Sequence, residues 1–174
     1  MASTKDRILN VTAELFRRYG YTRHGHETNR RERQCPLRVA LSLFPGGKEQ
    51  LAKEASQRSG RLYFDIWETI LDAAPDAVSG MSDFFLGAAE MLRETDYADA
   101  CPVATVALEV ASCSEPLRRA TANVFDSWIT GITARLVEAG GTSTEARELA
   151  IFAIAALEGA FVLSRACAAS SRST

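Results

Sequence analysis

From Leu149 to Leu163 the chain reads LAIFAIAALEGAFVL, and Glu158 is the only charge in that run. Alanine and leucine make it a strong helix former. Thr142 or Ser143 is placed to cap it, so TEARELAIFAIAALEGAFVLSRACAA reads as one long helix that is apolar on nearly every side. Such a helix has to be covered on every side. In a chain of 174 residues the simplest cover is a second copy of the same chain. The last two long helices are therefore expected to form a symmetric dimer as a four-helix bundle. Trp128, Ile132, Phe152, Leu157, Gly159 and Phe161 are the expected interface residues. The alternative is a central helix enclosed within one monomer.

Helical periodicity runs through most of the remaining chain. Ser3 caps a first helix with Asp6 three residues on, and Ile8, Val11, Leu15, Phe16 and Tyr19 recur at helical spacing before Gly20 stops it. After the turn FPGGK, Leu51, Ala55, Leu62, Ile66, Ile70 and Leu71 mark a long helix that breaks at Ala74-Pro75. Ser82 is expected to open a helix ending near Tyr97, and Pro102 to Ala111 a further one, with proline in its first turn. Ser114 caps the next, whose stripe is Leu117, Val124, Trp128, Ile132 and Leu136 and whose stop is Gly140-Gly141. There is no strand alternation. The class is all α.

Charge and chemistry narrow the function. The net charge of −2 excludes a uniformly basic nucleic-acid coat but leaves room for a local basic face, because a phosphate feels charge within a Debye length. The amino-terminal residues lack the apolar run of a secretory signal, and no segment is read as a membrane span, so a cytoplasmic protein with no membrane partner is expected. Cys35, Cys101, Cys113 and Cys167 are scattered without metal-ligand spacing, which suits reduced thiols. The two histidines, His24 and His26, lie together, and no nucleophile–base pair or phosphate loop is visible. The expectation is no enzyme, no cofactor and no metal.

LFRRYGY, a gap of set length, and FPGGKEQLAKEA opening a long helix resemble the amino-terminal unit of the TetR family of transcriptional regulators. CPVATVALEVAS, LVEAGG and ALEGAFVLSRA are similar to one subgroup of it. The resemblance implies a small helix-turn-helix unit over residues 1–47, joined by a long helix to an all-helical effector-binding and dimerisation domain over 48–174. It implies a homodimeric, ligand-responsive DNA-binding regulator: a repressor released by a small apolar molecule, with double-stranded operator DNA as its partner. Tyr21, Thr22, Arg38, Ser42 and Lys48 fall where the family meets DNA. Tyr63, Phe64, Trp67, Phe84, Phe85 and Met91 are the aromatic and thioether side chains expected to line an apolar effector pocket. Core packing is the alternative for each of them.

Residues 24–44, HGHETNRRERQCPLRVALSLF, depart from that family. Relatives carry a pattern like T-G-x-K-Q-I-V-A-x-A-x-A-P-x-G-S-L-Y-H-x-F there; only the length, Pro36 and Phe44 match. The genetic code supplies a reason. Joining the last two bases of each codon to the first base of the next gives ARA at Glu27-Thr28, which is Lys or Arg, and CNA at Thr28-Asn29, which allows Gln. Asn29-Arg30 allows Ile and Arg30-Arg31 allows Val. Continuing to Leu43-Phe44, the shifted frame spells T-G-M-K-Q-I-V-A-[NS]-A-[NS]-A-P-[FS]-G-S-L-Y-H-F-F without a forced stop. The expectation is therefore that two compensating single-base changes, in the gene or in its reported sequence, bracket residues 23 or 24 to about 44. A shifted frame in GC-rich DNA is itself arginine-rich, so Arg30, Arg31, Arg33 and Arg38 are not independent testimony to DNA binding. The alternatives are an authentic Arg-rich segment with salt-dependent, non-specific phosphate contacts, and a DNA-incompetent dimer that binds only a small molecule. As written, His24 to Arg33 offers a second helix no apolar face. Resequencing this stretch of the gene is expected to reveal the two changes; an in-frame read, colinear with close relatives, would refute them.

Overall fold

The computed structural model of the chain describes residues 3–23 and 43–171. Six helices and no strand are found among the described residues: α1 (Thr4–Arg23), α2 (Gly47–Ala73), α3 (Ala77–Glu94), α4 (Pro102–Val110), α5 (Glu115–Glu138) and α6 (Ser143–Ser171). The all-α expectation holds. Residues 24–42, with the expected second helix, Arg38 and Ser42, lie outside the described residues.

Local chemistry places most of the helix ends. Ser3 and Asp6 form a reciprocal cap on α1: Ser3 Oγ accepts from the Asp6 N–H at 3.1 Å and Asp6 Oδ2 accepts from the Ser3 N–H at 3.2 Å. This network, with Arg58 and Lys5 nearby, holds the Asp6 carboxyl below its usual range. Ser114 Oγ accepts from Leu117 N–H at 3.3 Å and starts α5. Thr142, rather than Ser143, accepts from Glu145 N–H and starts α6. One start differs from expectation. α3 begins at Ala77, not Ser82, because Asp76 accepts from Ser79 N–H at 2.8 Å. Gly80, within the first turns of α3, is buried, with Leu71 and Ala74 at the distance of a missing side chain.

The helices divide into two compact units, one from 1–61 with 101–124 and the other from 62–100 with 125–174. The first is centred on Leu9, Phe16, Phe44, Leu51, Ala52, Ala55, Val106, Val110 and Leu117, with Ile8 and Tyr21 packed against them. Full burial of a Leu or Phe side chain is worth about 1.5–3 kcal/mol relative to exposure, so this cluster dominates the unit's stability. α1 and α4 are its most closely packed helices. Gly60 lets α2 approach α5, since a Cβ there would run into the Val124 side chain. Across α1 and α2, Lys5 pairs with Glu54 at 2.7 Å and Arg58 with Asp6 at 2.9 Å. These partly exposed pairs add little.

The second unit gathers Trp67, Leu71, Ile132 and Ala150, with Phe64, Met81, Phe84, Ile129, Leu136 and Ile154 against them. Gly131 lies against the Phe64 ring, where a Cβ would collide. Arg135 of α5 pairs with Asp72 of α2.

α6 corrects one reading of the sequence. Its Ser143–Ala168 stretch is long and apolar enough to cross a membrane by length and composition, because alanine-rich turns extend the apolar run in both directions from its centre. Little of it is covered within the chain: Leu149 is 55% exposed, Phe152 69% and Leu163 66%. The alternative of a helix enclosed by its own monomer is therefore not what the chain adopts. Contiguous apolar surface on this scale marks an interaction face.

Candidate nucleic-acid interface and ligand site

α1 turns sharply at Gly20, whose φ of 76° and ψ of 176° break the helix inside its span. The expected stop is thus a kink. Immediately after it, Tyr21 is held from three directions. Its N–H donates to Glu109 Oε1 of α4 at 2.8 Å, and its carbonyl accepts from Lys48 Nζ of α2 at 2.7 Å. Lys48 Nζ also sits 4.1 Å from the Tyr21 ring centroid, and the Phe16 ring meets the Tyr21 ring edge-on at 5.9 Å. Burial lowers the Lys48 pKa from its ordinary value, and the Glu109 carboxylate opposes that shift. Burial raises the Tyr21 hydroxyl, with Glu49 and Cys113 adding to it.

Of the residues expected to meet DNA, Tyr21 and Lys48 are therefore brought into direct contact with each other. Thr22 belongs to α1 by its backbone, while its side chain, Arg38 and Ser42 lie outside what is described. Lys48 stands in the first turn of α2, where free N–H groups and a positive side chain both favour a phosphate. Two N–H groups at this end are already used: Gly46 N–H donates to Gln50 Oε1 at 2.7 Å and Gly47 N–H to the Phe44 carbonyl at 2.8 Å. Sequence reasoning missed Glu109. The available signal was one acid in the otherwise uncharged stretch VATVALEV, but its partner lies 88 residues away.

The groove between α1 and α2 is lined by charged side chains of both signs. Lys5, Lys53, Arg58 and Arg61 line it together with Asp6 and Glu54, and the two carboxylates are taken by Arg58 and Lys5.

On the ligand side, Phe64, Trp67 and Phe84 belong to one apolar cluster. The Phe64 and Trp67 rings lie 5.4 Å apart, and Phe85 meets Phe84 edge-on at 6.5 Å. Tyr63 and Met91 are half-buried outside that cluster. Trp67 is 3% exposed, yet its indole N–H has no acceptor among the described residues. A buried donor left so costs about 1–3 kcal/mol, and each such group in a folded protein calls for an explanation.

The expected interface residues fall into two sets. Ile132 and Phe161 are buried within the chain, and Trp128 is half-buried with its ring 5.5 Å from Phe125. Phe152 is open, Leu157 and Gly159 are half-buried, and nothing lies within 4 Å of a Cβ built on Gly159. The open set lies on α6.

Residues 77–172 match the family described as the transcriptional regulator LmrA/YxaF-like C-terminal domain, within the TetR group. The chain is 30% identical over 161 residues to the uncharacterized HTH-type transcriptional regulator YxaF of Bacillus subtilis, covering 92% of this chain and 84% of that protein. It is 28% identical to the HTH-type transcriptional regulator LmrA of the same organism, covering 92% of this chain and 86% of LmrA. A TetR transcriptional regulator from Legionella pneumophila shares the fold, with a TM-score of 0.73, 18% identity, and coverage of 95% of this chain and 88% of that one.

Proposed function

Because the chain belongs to the TetR family of helix-turn-helix transcriptional regulators, we propose that it is a homodimeric repressor whose hold on operator DNA is released by a small, largely apolar molecule. On this reading residues 1–47 carry DNA binding, and 48–174 carry effector binding and dimerisation. Two heads on one dimer address two half-sites, with phosphate contacts setting register and the third family helix reading base edges. A ligand changes occupancy only by binding one arrangement of the dimer better than the other.

The observation that carries the dimer is the open apolar face of α6, with Leu149, Phe152, Val162 and Leu163 each more than half exposed. A second copy covers it with the same surface, as a two-fold interface requires. The effector reading is supported by the Phe64, Trp67 and Phe84 cluster and its buried indole donor, which a ligand oxygen would satisfy.

The DNA reading meets the chain as written at residues 24–44. With Leu41, Ser42 and Leu43 in place of the family's polar and aromatic base readers, the chain is expected to bind DNA weakly and without sequence preference. Restoring the shifted frame is expected to bring back sequence-specific binding. A gel shift on the gene's upstream region, run over a range of salt, compares the two proteins; equal sequence-specific affinity would refute the role given to the segment.

Sedimentation tests the dimer. The unmodified chain is expected to sediment as a dimer, and Phe152→Asp with Leu163→Asp as a monomer of unchanged helicity. A monomeric parent would overturn the α6 interface, and recovery of the parent only with detergent micelles would favour a membrane-facing α6 instead.

For the effector, 1-indanone and indane differ by one carbonyl. The ratio of their affinities, measured by calorimetry, is expected to fall about tenfold on Trp67→Phe, equivalent to ~1.4 kcal/mol. The same ratio in both proteins would exclude Trp67 as the donor.

A further inference from the structure

Both backbone polar groups of Tyr21 are taken by charged side chains from two other helices: Glu109 of α4 accepts from the N–H, and Lys48 of α2 donates to the carbonyl. Hydrogen bonds of this charge-assisted kind are roughly twice as strong as neutral ones. Gly20 fits the same arrangement. Its positive φ turns the chain, and the Glu109 carboxylate occupies the space that a Cβ on residue 20 would need. The Tyr21 ring is held as well, between the Lys48 ammonium and Phe16. Under this turn, Val106 and Val110 of α4 share a core with Phe16 of α1, so the helix that carries Glu109 is itself anchored to the helix that ends there.

We propose that Glu109 is a positioning residue for the DNA-reading segment: its carboxylate, working with Lys48, holds Tyr21 just past the kink at Gly20 and so fixes the direction of the last turn of α1. The residues that follow, 24–42, are those the family uses to read DNA. α4 is also the first helix of this unit after the chain returns from residues 62–100. Glu109 thus ties the returning chain to the start of the reading segment. The consequence for DNA rests on the function proposed above, whereas the grip on Tyr21 belongs to the chain as it stands.

The grip is tested by hydrogen exchange at the Tyr21 amide, read by NMR on protein labelled with ¹⁵N-tyrosine and assigned with Tyr21→Phe. Glu109→Ala is expected to speed exchange of that amide at least tenfold while leaving the Tyr97 amide, in the other unit, unchanged. Glu109→Gln, which keeps a carbonyl acceptor of the same shape, is expected to restore most of the protection. Unchanged exchange in Glu109→Ala, or equal acceleration at both amides, would overturn the grip. The positioning role is read in the frame-restored chain. There Glu109→Ala is expected to lose about tenfold in affinity for the gene's upstream DNA and little for an unrelated duplex, with Glu109→Gln recovering it. Equal losses on both duplexes, or none, would overturn that role. If the frame-restored parent binds neither duplex, the DNA-binding function fails and with it the positioning role; the exchange measurement then decides only the grip.

Discussion

Two separate stretches of α2 are buried in two separate cores, and most of the architecture follows from that constraint. Leu51, Ala52 and Ala55 close the core that holds α1, α4 and the start of α5, while Trp67 and Leu71 belong to the core built with α3, α5 and α6. Small residues serve the first of these: Ala52, Ala55 and Ser56 are nearly inaccessible, and Gly60 gives way to Val124. Large rings serve the second. A unit of some 45 residues has too little core to fold alone, so the amino-terminal helices depend on α2 and α4 for their apolar cover.

That dependence gives the turn at Gly20 and Tyr21 its importance. A kinked helix end exposes peptide groups that need partners, and here they come from the two helices that also supply the core. The same bonds that complete the fold therefore set where the following segment begins. Lys48 serves both purposes on the proposed reading, as a brace for Tyr21 in the free protein and as a cation beside the first turn of α2, where phosphate is favoured.

The arginine-rich stretch after Tyr21 shows how composition misleads when taken alone. Read literally, Arg30, Arg31, Arg33 and Arg38 are a basic patch. Read through the codons that could encode them, they are what a shifted frame would produce, and that other frame can spell the family's pattern. Residues 77–172, outside this stretch, match the family's C-terminal domain.

Helix content, the caps at Ser3 and Ser114 and the excess apolar surface of α6 were all determined by the sequence itself, and Gly20 was legible as a break, though the structure makes it a kink rather than a stop. Each depends on residues within a turn or two of one another, and such spacing is preserved in one dimension. Asp76 was overlooked as a cap because it directly follows the break at Ala74-Pro75, and only packing against Leu71 and Ala74 shows how the helix accepts Gly80. Trp67 was legible as an aromatic of the expected pocket, but its unpartnered N–H was not, since an absent acceptor is a property of a whole neighbourhood. The pairing of Glu109 with Tyr21 belonged wholly to the tertiary structure. A hydrogen bond between distant residues leaves no periodicity in the chain; it exists only once α1 and α4 have buried their apolar faces together and brought donor and acceptor within reach.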